Sequence, residues 1–382
     1  MAKILIVGDY VPKNRLINAL KDNNVDVFES IRHLIETSDY SIANLEAPVT
    51  VIDSPILKTG PNLRCSKEEL KPLKEVGFNL VTLANNHMLD QGHQGLQETL
   101  RNCHELGLDT IGAGNNLEEA RRILIKTIDK TRIAFINVCE NEWSTTQDES
   151  SGCNPISEIN LWEDIKAAKT QSDIIVVIIH GGHEWYTLPS PRMVKLYRWL
   201  IDIGAEAVIG HHTHCYSGHE IYKSKPIVYS LGNFLFDKPY RKTIWNIGVA
   251  ALLDIKEKGN ITIELYPFEQ CDDNPTINLL GGDKLQEWRR EAERKTLIIG
   301  NDAQLRTEFE KFSVKIGKSF VDSLEPFDNK ILSVARSKRL FPRILSKRQK
   351  NMLLNIVRDE AHRDVLINYL TKIYNNENSH NG

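Results

Sequence analysis

Histidines concentrate in one short stretch of the chain, Gly210-His211-His212-Thr213-His214, directly after the apolar run 205–209. Three imidazoles within four residues exceed what a folding core requires, and imidazole is the commonest metal ligand. Acidic, amide and imidazole side chains also follow other apolar runs that predict buried strands. A site for two divalent metals needs carboxylates and imidazoles together, with one anionic ligand shared between the ions. The residues that supply such a set are Asp9, Glu46, Asn86, His180, His212 and His214.

Apolar runs and amphipathic stretches alternate from the start of the chain to about residue 268. Strands are predicted, from β-branched and apolar runs, at 3–8, 40–45, 79–83, 131–138, 173–179, 205–209, 226–234, 247–255 and 260–268. Helices are predicted, from apolar periodicity and stop signals, at 14–22, 66–76, 94–106, 158–170 and 191–203. This alternation predicts an α/β fold in which polar loops gather at the carboxyl ends of the strands, where such sheets hold their ligands.

Several of these residues also have a simpler interpretation when each is taken alone. Asp9 is a residue type that commonly caps a helix or forms a turn, and Asn86 is a common turn residue. The sequence His180-Gly181-Gly182-His183-Glu184 is not a zinc protease motif, because two glycines disfavour the helix that such a motif needs. Cys215 is interpreted as a small buried filler beside the histidines.

The order of the motifs resembles that of calcineurin-like metallophosphoesterases, and more closely that of the CapA family of bacterial capsule and poly-γ-glutamate synthesis proteins. The resemblance covers roughly residues 3–270. Its motifs are Gly8-Asp9, Asn44-Leu45-Glu46-Ala47-Pro48, Ala84-Asn85-Asn86-His87-Met88-Leu89-Asp90-Gln91-Gly92, His180-Gly181-Gly182-His183-Glu184-Trp185, Gly210-His211-His212-Thr213-His214 and Tyr229-Ser230-Leu231-Gly232-Asn233-Phe234. It implies a metallophosphoesterase-like α/β/β/α sandwich and two divalent metal ions, for which Mn, Fe and Zn suit the ligand types.

The resemblance also implies a role for each matched residue. Asp9 and His214 would bind one metal, Glu46 would bridge, and the other metal would be bound by Asn86, His180 and His212. His87 would be the general acid that protonates a leaving group, oriented by Asp90, while a metal-activated water attacks. A direct contact with substrate is the alternative role for His87. The residues expected to contact substrate or to support the ligands are His183, Glu184, His211 and Asn233.

Two positions depart from the pattern that the resemblance implies. Val11 stands where ordinary metallophosphoesterases have the histidine of Asp-x-His, so the first metal lacks one ligand. Gly181 stands where the family has the tryptophan of His-Trp-Gly, and its small size is expected to open the site. The main functional hypothesis is a metal-dependent hydrolase in capsule, poly-γ-glutamate or surface-polysaccharide synthesis. The loss at Val11 favours the alternative, a non-catalytic polymer-binding or assembly subunit that retains the fold.

Composition limits the classes of function. The 382 residues carry a formal net charge of -3, which gives no overall attraction to nucleic acid. Six cysteines without a CxxC spacing indicate reduced thiols. No apolar stretch is long enough for a signal peptide or for the roughly 20 residues that span a bilayer. We therefore expect a cytoplasmic protein, peripheral to the membrane at most, whose substrate is an anionic polymer or a phosphorylated small molecule.

The character of the sequence changes between residues 270 and 285. We expect one domain over residues 1–270 and a helical, basic C-terminal extension over 285–382. No acidic residue lies between Asp328 and Asp359, whereas eight lysines and arginines fall within 330–350. This segment is interpreted either as a solvated helix face or as a surface that contacts an anionic membrane or the capsule-synthesis machinery.

Overall fold

The computed structural model describes residues 2–21, 26–58, 60–146, 148–238, 243–257, 260–323, 330–338 and 340. The strands in these ranges are β1 (Ala2–Val11), β2 (Tyr40–Leu45), β3 (Leu80–Thr82), β4 (Asp109–Ile111), β5 (Ala113–Gly114), β6 (Leu124–Ile128), β7 (Thr131–Cys139), β8 (Gly152–Cys153), β9 (Ile174–His180), β10 (Ala207–His211), β11 (His219–Tyr222), β12 (Lys225–Val228), β13 (Asn233–Phe236), β14 (Ile247–Glu257), β15 (Asn260–Gln270) and β16 (Ile277–Leu279). The α-helices are α1 (Arg15–Ala19), α2 (Arg32–Glu36), α3 (Lys67–Glu75), α4 (Gly92–Glu105), α5 (Leu117–Ala120), α6 (Glu158–Gln171), α7 (Pro191–Ile203), α8 (Gly282–Ile299), α9 (Asp302–Ser323) and α10 (Lys330–Ser337).

The strands form two main sheets. The first has the order β16-β15-β14-β1-β2-β3-β4, with β13 also paired to β1. The second has the order β11-β12-β10-β9-β7-β6. Strands β1 to β4 are parallel to one another, as are β7, β9, β10 and β12. Parallel neighbours place their carboxyl ends at one edge, so each sheet delivers several loops to the same side.

The two sheets pack face to face, and this explains why their central strands are continuously apolar. On β1, Ile4 and Ile6 join a buried cluster that includes Val176 and Ile178 of β9. The alternate β1 residue Leu5 joins a second cluster, which includes Leu70 of α3. Both faces of β1 are therefore buried, one against a sheet and the other against helices.

Helices cover the outer face of each sheet. Helices α3 and α4 contribute Leu73 and Leu96 to the cluster beside the first sheet. Helices α6 and α7 contact β9 and β10 of the second sheet, and their apolar residues Leu161 and Leu200 are buried. The layers are helix, sheet, sheet and helix, which confirms the α/β/β/α sandwich predicted from the sequence.

One predicted strand is wrong in its extent. Residues 226–234 were expected to form a single strand, whereas the chain forms β12 in the second sheet and β13 in the first. Gly232, between them, has a φ of 72°, a left-handed conformation that glycine adopts without a steric cost. The chain therefore crosses from one sheet to the other within a few residues.

The chain divides into two compact units, Met1–Phe309 and Glu310–Gly382. Helix α8 belongs to the first unit, where Lys295 donates to the Tyr216 carbonyl at 2.8 Å. The two domains expected over 1–270 and 285–382 stay a prediction. Of the basic segment 330–350, residues 339 and 341–350 lie outside the described residues, so its docking role also stays a prediction. No helix of the described ranges is long and apolar enough to cross a membrane.

The close approach of Gly8 to Gly232 provides a test of how the fold positions Asp9. The Asp9 amide donates to the Gly232 carbonyl at 3.1 Å, and a Cβ at Gly8 would lie 1.8 Å from that oxygen. We expect Gly8→Ala to lower the free energy of unfolding by the upper end of the about 1–3 kcal/mol typical of overpacking. Urea denaturation measures the change. The control Gly300→Ala, with neighbours no closer than 3.5 Å, should leave stability nearly unchanged.

Candidate metal centre

The carboxyl ends of strands from both sheets converge on one set of buried polar side chains. Asp9 lies in β1, and Glu46 directly follows β2. In the second sheet, His180 ends β9 and pairs in register with His211 of β10. His212 and His214 follow β10 in the turn that leaves this sheet. The sandwich therefore brings carboxylates from one sheet against imidazoles from the other.

The first group of candidate ligands consists of Asp9, Glu46 and His214. Their ligand atoms all lie within 4.8 Å of one another. His214 Nδ1 is 3.3 Å from Asp9 Oδ2 and 3.9 Å from Glu46 Oε2. These distances leave room for one cation between the carboxylates and the imidazole.

The second group consists of Glu46, His180 and His212, again with ligand atoms within 4.8 Å. His180 Nε2 is 3.4 Å from Glu46 Oε1 and 3.0 Å from His212 Nδ1. Asn86 Oδ1 lies 3.0 Å from the same His180 nitrogen, which places a fourth donor at this group. Glu46 belongs to both groups, so its two oxygens have the arrangement that a bridging carboxylate requires.

The chemistry of these residues fits divalent cations. Asp9 Oδ2 and both Glu46 oxygens are buried and accept no hydrogen bond from any described residue. Burial, together with the charge of Asp9, raises the pKa of Glu46 well above its ordinary value. Burial also lowers the pKa of His180 far below its usual range and that of His212 to about 4. Neutral imidazoles thus surround carboxylates that lack donors, and a cation would satisfy both.

His87 and Asp90 form a hydrogen-bonded pair at the edge of the second group. His87 Nδ1 is 2.6 Å from Asp90 Oδ2. The buried Lys58 forms an ion pair with the other oxygen of Asp90, and its Nζ is 3.1 Å from His87 Nδ1. Burial lowers the pKa of His87, although the hydrogen bond and charge of Asp90 oppose this shift. Sequence reasoning missed Lys58, because a single lysine in the irregular stretch 48–64 carries no recognisable pattern.

Two predicted supporting residues contact the ligand set. Asn233 Oδ1 lies 2.9 Å from His214 Nδ1, and its amide nitrogen donates to the Trp245 carbonyl at 3.0 Å. His211 lies outside both ligand groups, and its Nε2 is 3.1 Å from the Val7 carbonyl of the opposite sheet. His211 thus links the two sheets beneath the site, whereas Asn233 orients a ligand imidazole.

The other two predicted supporting residues lie at the rim. The His183 ring packs against Phe309, with centroids 5.4 Å apart, and is not among the grouped ligands. The charge of Glu184 contributes to raising the pKa of Glu46, after burial and the charge of Asp9. Glu184 therefore lies close enough to influence the site electrostatically, while His183 is engaged in packing.

The two departures in sequence have distinct structural settings. Val11 is buried in the apolar cluster and pairs in register with Phe236, whose ring lies 5.4 Å from that of His214. An apolar wall thus replaces the histidine of ordinary metallophosphoesterases. At Gly181, an added Cβ would meet Glu140 Cγ at 2.7 Å. The Glu140 side chain, which pairs with Arg192, therefore occupies the space that the missing tryptophan was expected to open.

The sandwich and its buried ligand groups define a protein of the metallophosphoesterase fold type. A family model described as bacterial capsule synthesis protein PGA_cap matches residues 3–238, and the chain belongs to this family. It is 30% identical over 297 residues to the capsule biosynthesis protein CapA of Bacillus anthracis, covering 75% of this chain and 71% of that one. It is 28% identical over 324 residues to the PGA biosynthesis protein CapA of Bacillus subtilis strain 168, covering 79% and 83%. The family resemblance drawn from the motifs is confirmed.

Among solved structures, a hypothetical protein from Thermus thermophilus superposes with a TM-score of 0.45 at 14% identity, covering 70% of this chain and 99% of that one.

The Lys58–Asp90 pair predicts a large energetic effect away from the ligands. Lys58 and Asp90 side chains are 2% and 0% exposed, so Lys58→Met would leave a buried carboxylate without its cationic partner. We expect the metal-free variant to lose about 3 kcal/mol of unfolding free energy in urea. Lys71→Met is the control, because its pair with Glu75 is exposed and should contribute almost nothing. Equal stability of the two variants would contradict this account.

The shared position of Glu46 predicts metal-dependent stability. Chelator-treated protein, given Mn²⁺ at about 100 times its dissociation constant, should gain about 2.7 kcal/mol of unfolding free energy. Glu46→Gln should lose most of this gain, since both ligand groups lose their common charge. Denaturant unfolding with and without Mn²⁺ measures the difference, and the exposed Glu118→Gln serves as control. A full metal-dependent gain in Glu46→Gln would refute the bridging role.

Proposed function

We propose that this protein is a metal-dependent hydrolase of the phosphoesterase type that acts in the synthesis of capsule, poly-γ-glutamate or a surface polysaccharide. The observation that carries the proposal is the position of Glu46 between two buried ligand groups, with His87 beside the second. The family membership supports the biological setting. The ligand geometry supports the type of reaction.

The proposed ligands divide between two cations. Asp9, Glu46 and His214 would hold one, and Glu46, Asn86, His180 and His212 would hold the other. Divalent ions of the Mn, Fe or Zn type supply charge that stabilises an anionic transition state and lower the pKa of a coordinated water. The role of the protein side chains is to hold the reacting phosphoryl group against this charge.

The proposed proton donor is His87. Asp90 accepts the Nδ1 proton of His87 and stabilises the imidazolium form, which leaves Nε2 as the nitrogen that can give a proton to a leaving oxygen. Lys58 fixes Asp90 through its other oxygen and is a positioning residue. His87 is only 7% exposed, so a leaving group would meet it in a largely dehydrated setting.

The proposed substrates are phosphorylated small molecules or anionic polymers, because the cations and His87 would act on a negatively charged ester. A non-catalytic polymer-binding or assembly subunit is the second candidate function. The apolar setting of Val11 favours it, since Phe236 and Trp245 pack on His214 where a further ligand would otherwise lie. The two candidates differ in turnover, not in metal binding at the second group.

A leaving-group series tests the hydrolase proposal. We expect metal-loaded protein to hydrolyse phosphodiesters, and His87→Asn to reduce the rate by about 10²–10⁴-fold when the leaving group is an alkoxide. With p-nitrophenolate, which needs no proton on departure, the loss should be much smaller. His104→Asn, an exposed residue near the end of α4, is the matched control.

Each outcome of the series separates the two functions. Turnover that depends on His87 and on leaving-group basicity supports the hydrolase. Metal-loaded protein that hydrolyses neither phosphoesters nor γ-glutamyl compounds, yet binds poly-γ-glutamate with wild-type and His87→Asn protein alike, establishes the binding subunit instead.

A further inference from the structure

A carboxylate from the loop after β7 lies against the second ligand group. Glu142 Oε1 is 3.6 Å from His212 Nε2. The other ring nitrogen of His212, Nδ1, is the one that lies 3.0 Å from His180 Nε2 among the candidate ligands. The two imidazole nitrogens point in different directions, so Glu142 approaches His212 from the side opposite to the proposed metal.

The position of Glu142 is set by anchored residues on both sides of it. On one side, the Glu140 amide donates to the His180 carbonyl at 3.0 Å, and the Glu140 carboxylate accepts from the Gly182 amide at 3.0 Å. On the other side, the buried Ser144 hydroxyl accepts from the Leu89 amide at 3.0 Å. Glu142 thus lies on a short segment that is tied to the end of β9 and to the loop that carries His87.

Glu142 also interacts with a second proposed ligand. Burial, with the charges of Glu140 and Glu184, raises the pKa of Glu142, whereas Lys58 and a hydrogen bond from the Asn86 side chain act to lower it. Asn86 offers its Oδ1 to the ligand group, 3.0 Å from His180 Nε2, and its amide hydrogens are left for Glu142. One carboxylate therefore contacts the outward-facing polar atoms of two candidate ligands.

We infer that Glu142 is a positioning residue that holds His212 and Asn86 for the second metal. An imidazole ligand usually donates its free N–H to a carboxylate or carbonyl, which fixes the tautomer and the ring orientation. With Nε2–H directed to Glu142, the Nδ1 lone pair of His212 faces the Glu46 side. The same contact orients Asn86 so that its oxygen, not its nitrogen, faces the metal. This inference rests on the metal centre of the proposed function, but not on catalysis.

Glu142 compensates in part for the departure at Val11. The first group has an apolar wall at the position of a missing ligand, whereas the second group has four donors and an added supporting carboxylate. The inference therefore assigns the tighter of the two sites to Glu46, Asn86, His180 and His212. It also gives the loop after β7 a role that its sequence does not reveal.

The test is metal affinity measured by titration calorimetry on chelator-treated full-length protein, with Mn²⁺ and with Zn²⁺ as probes. We expect Glu142→Leu to weaken the tighter site by about 10–100-fold, the range found when supporting partners of ligands are removed. Glu142→Gln, which keeps an acceptor but not the charge, should show a smaller loss. Glu149→Gln removes a carboxylate from the same loop and should bind as the wild type does.

A second measurement excludes a merely structural effect. Histidine ring ¹⁵N NMR of the metal-free protein should show His212 as the Nε2-protonated tautomer in the wild type and a mixture in Glu142→Leu, with unchanged thermal unfolding. Wild-type affinity in Glu142→Leu, or an unchanged tautomer, overturns the role of Glu142 alone. A wild-type protein that binds neither metal overturns the metal centre as well, while metal binding without turnover leaves the inference standing and removes only the hydrolase.

Discussion

Asp9 and Glu46 place two carboxylates in the interior of the sandwich, both fully buried, and three of their four oxygens accept no hydrogen bond from any described residue. Burying a carboxylate without donors carries a large free-energy cost unless an opposite charge compensates it. The partners nearest to these oxygens are imidazoles, and burial keeps the pKa of His180 and His212 low. The charge balance of this region therefore requires a cation, and the meeting of the two sheets at one edge is what creates the requirement.

Around this uncompensated centre, charged groups are paired in an ordered way. Lys58 neutralises Asp90 beside His87, and Arg192 pairs with Glu140 at the end of β9. Neither cation reaches Asp9 or Glu46 among the ion pairs of the described ranges. The loops thus supply positive charge to the residues that support the site but leave the ligand carboxylates open to a metal.

The sandwich was predictable from the sequence because both faces of its central strands are buried. The run Ile4 to Val7 is apolar at every position for that reason, and the strand-end residues Asp9 and His180 follow from the same pattern. The break at Gly232 was not predictable, since residues on either side of it are equally apolar. Lys58 and Glu142 could not be found either. Each lies in an irregular loop, where position depends on tertiary hydrogen bonds such as that of Ser144 to Leu89 and not on periodicity.

The turn after β10 shows how the local backbone serves this arrangement. His212 and His214 have φ values of 92° and 56°, a left-handed region that costs a residue with a side chain on the order of 1–3 kcal/mol. Thr213, between them, stabilises the turn, since its carbonyl accepts from the Trp185 amide at 2.9 Å and its hydroxyl donates to the Cys215 carbonyl at 2.8 Å. Glycine at either histidine position would relieve the strain but remove an imidazole. The strained conformation therefore persists where the side chain, and not the fold, is what the position supplies, and Glu46 lies between the two rings that this turn presents.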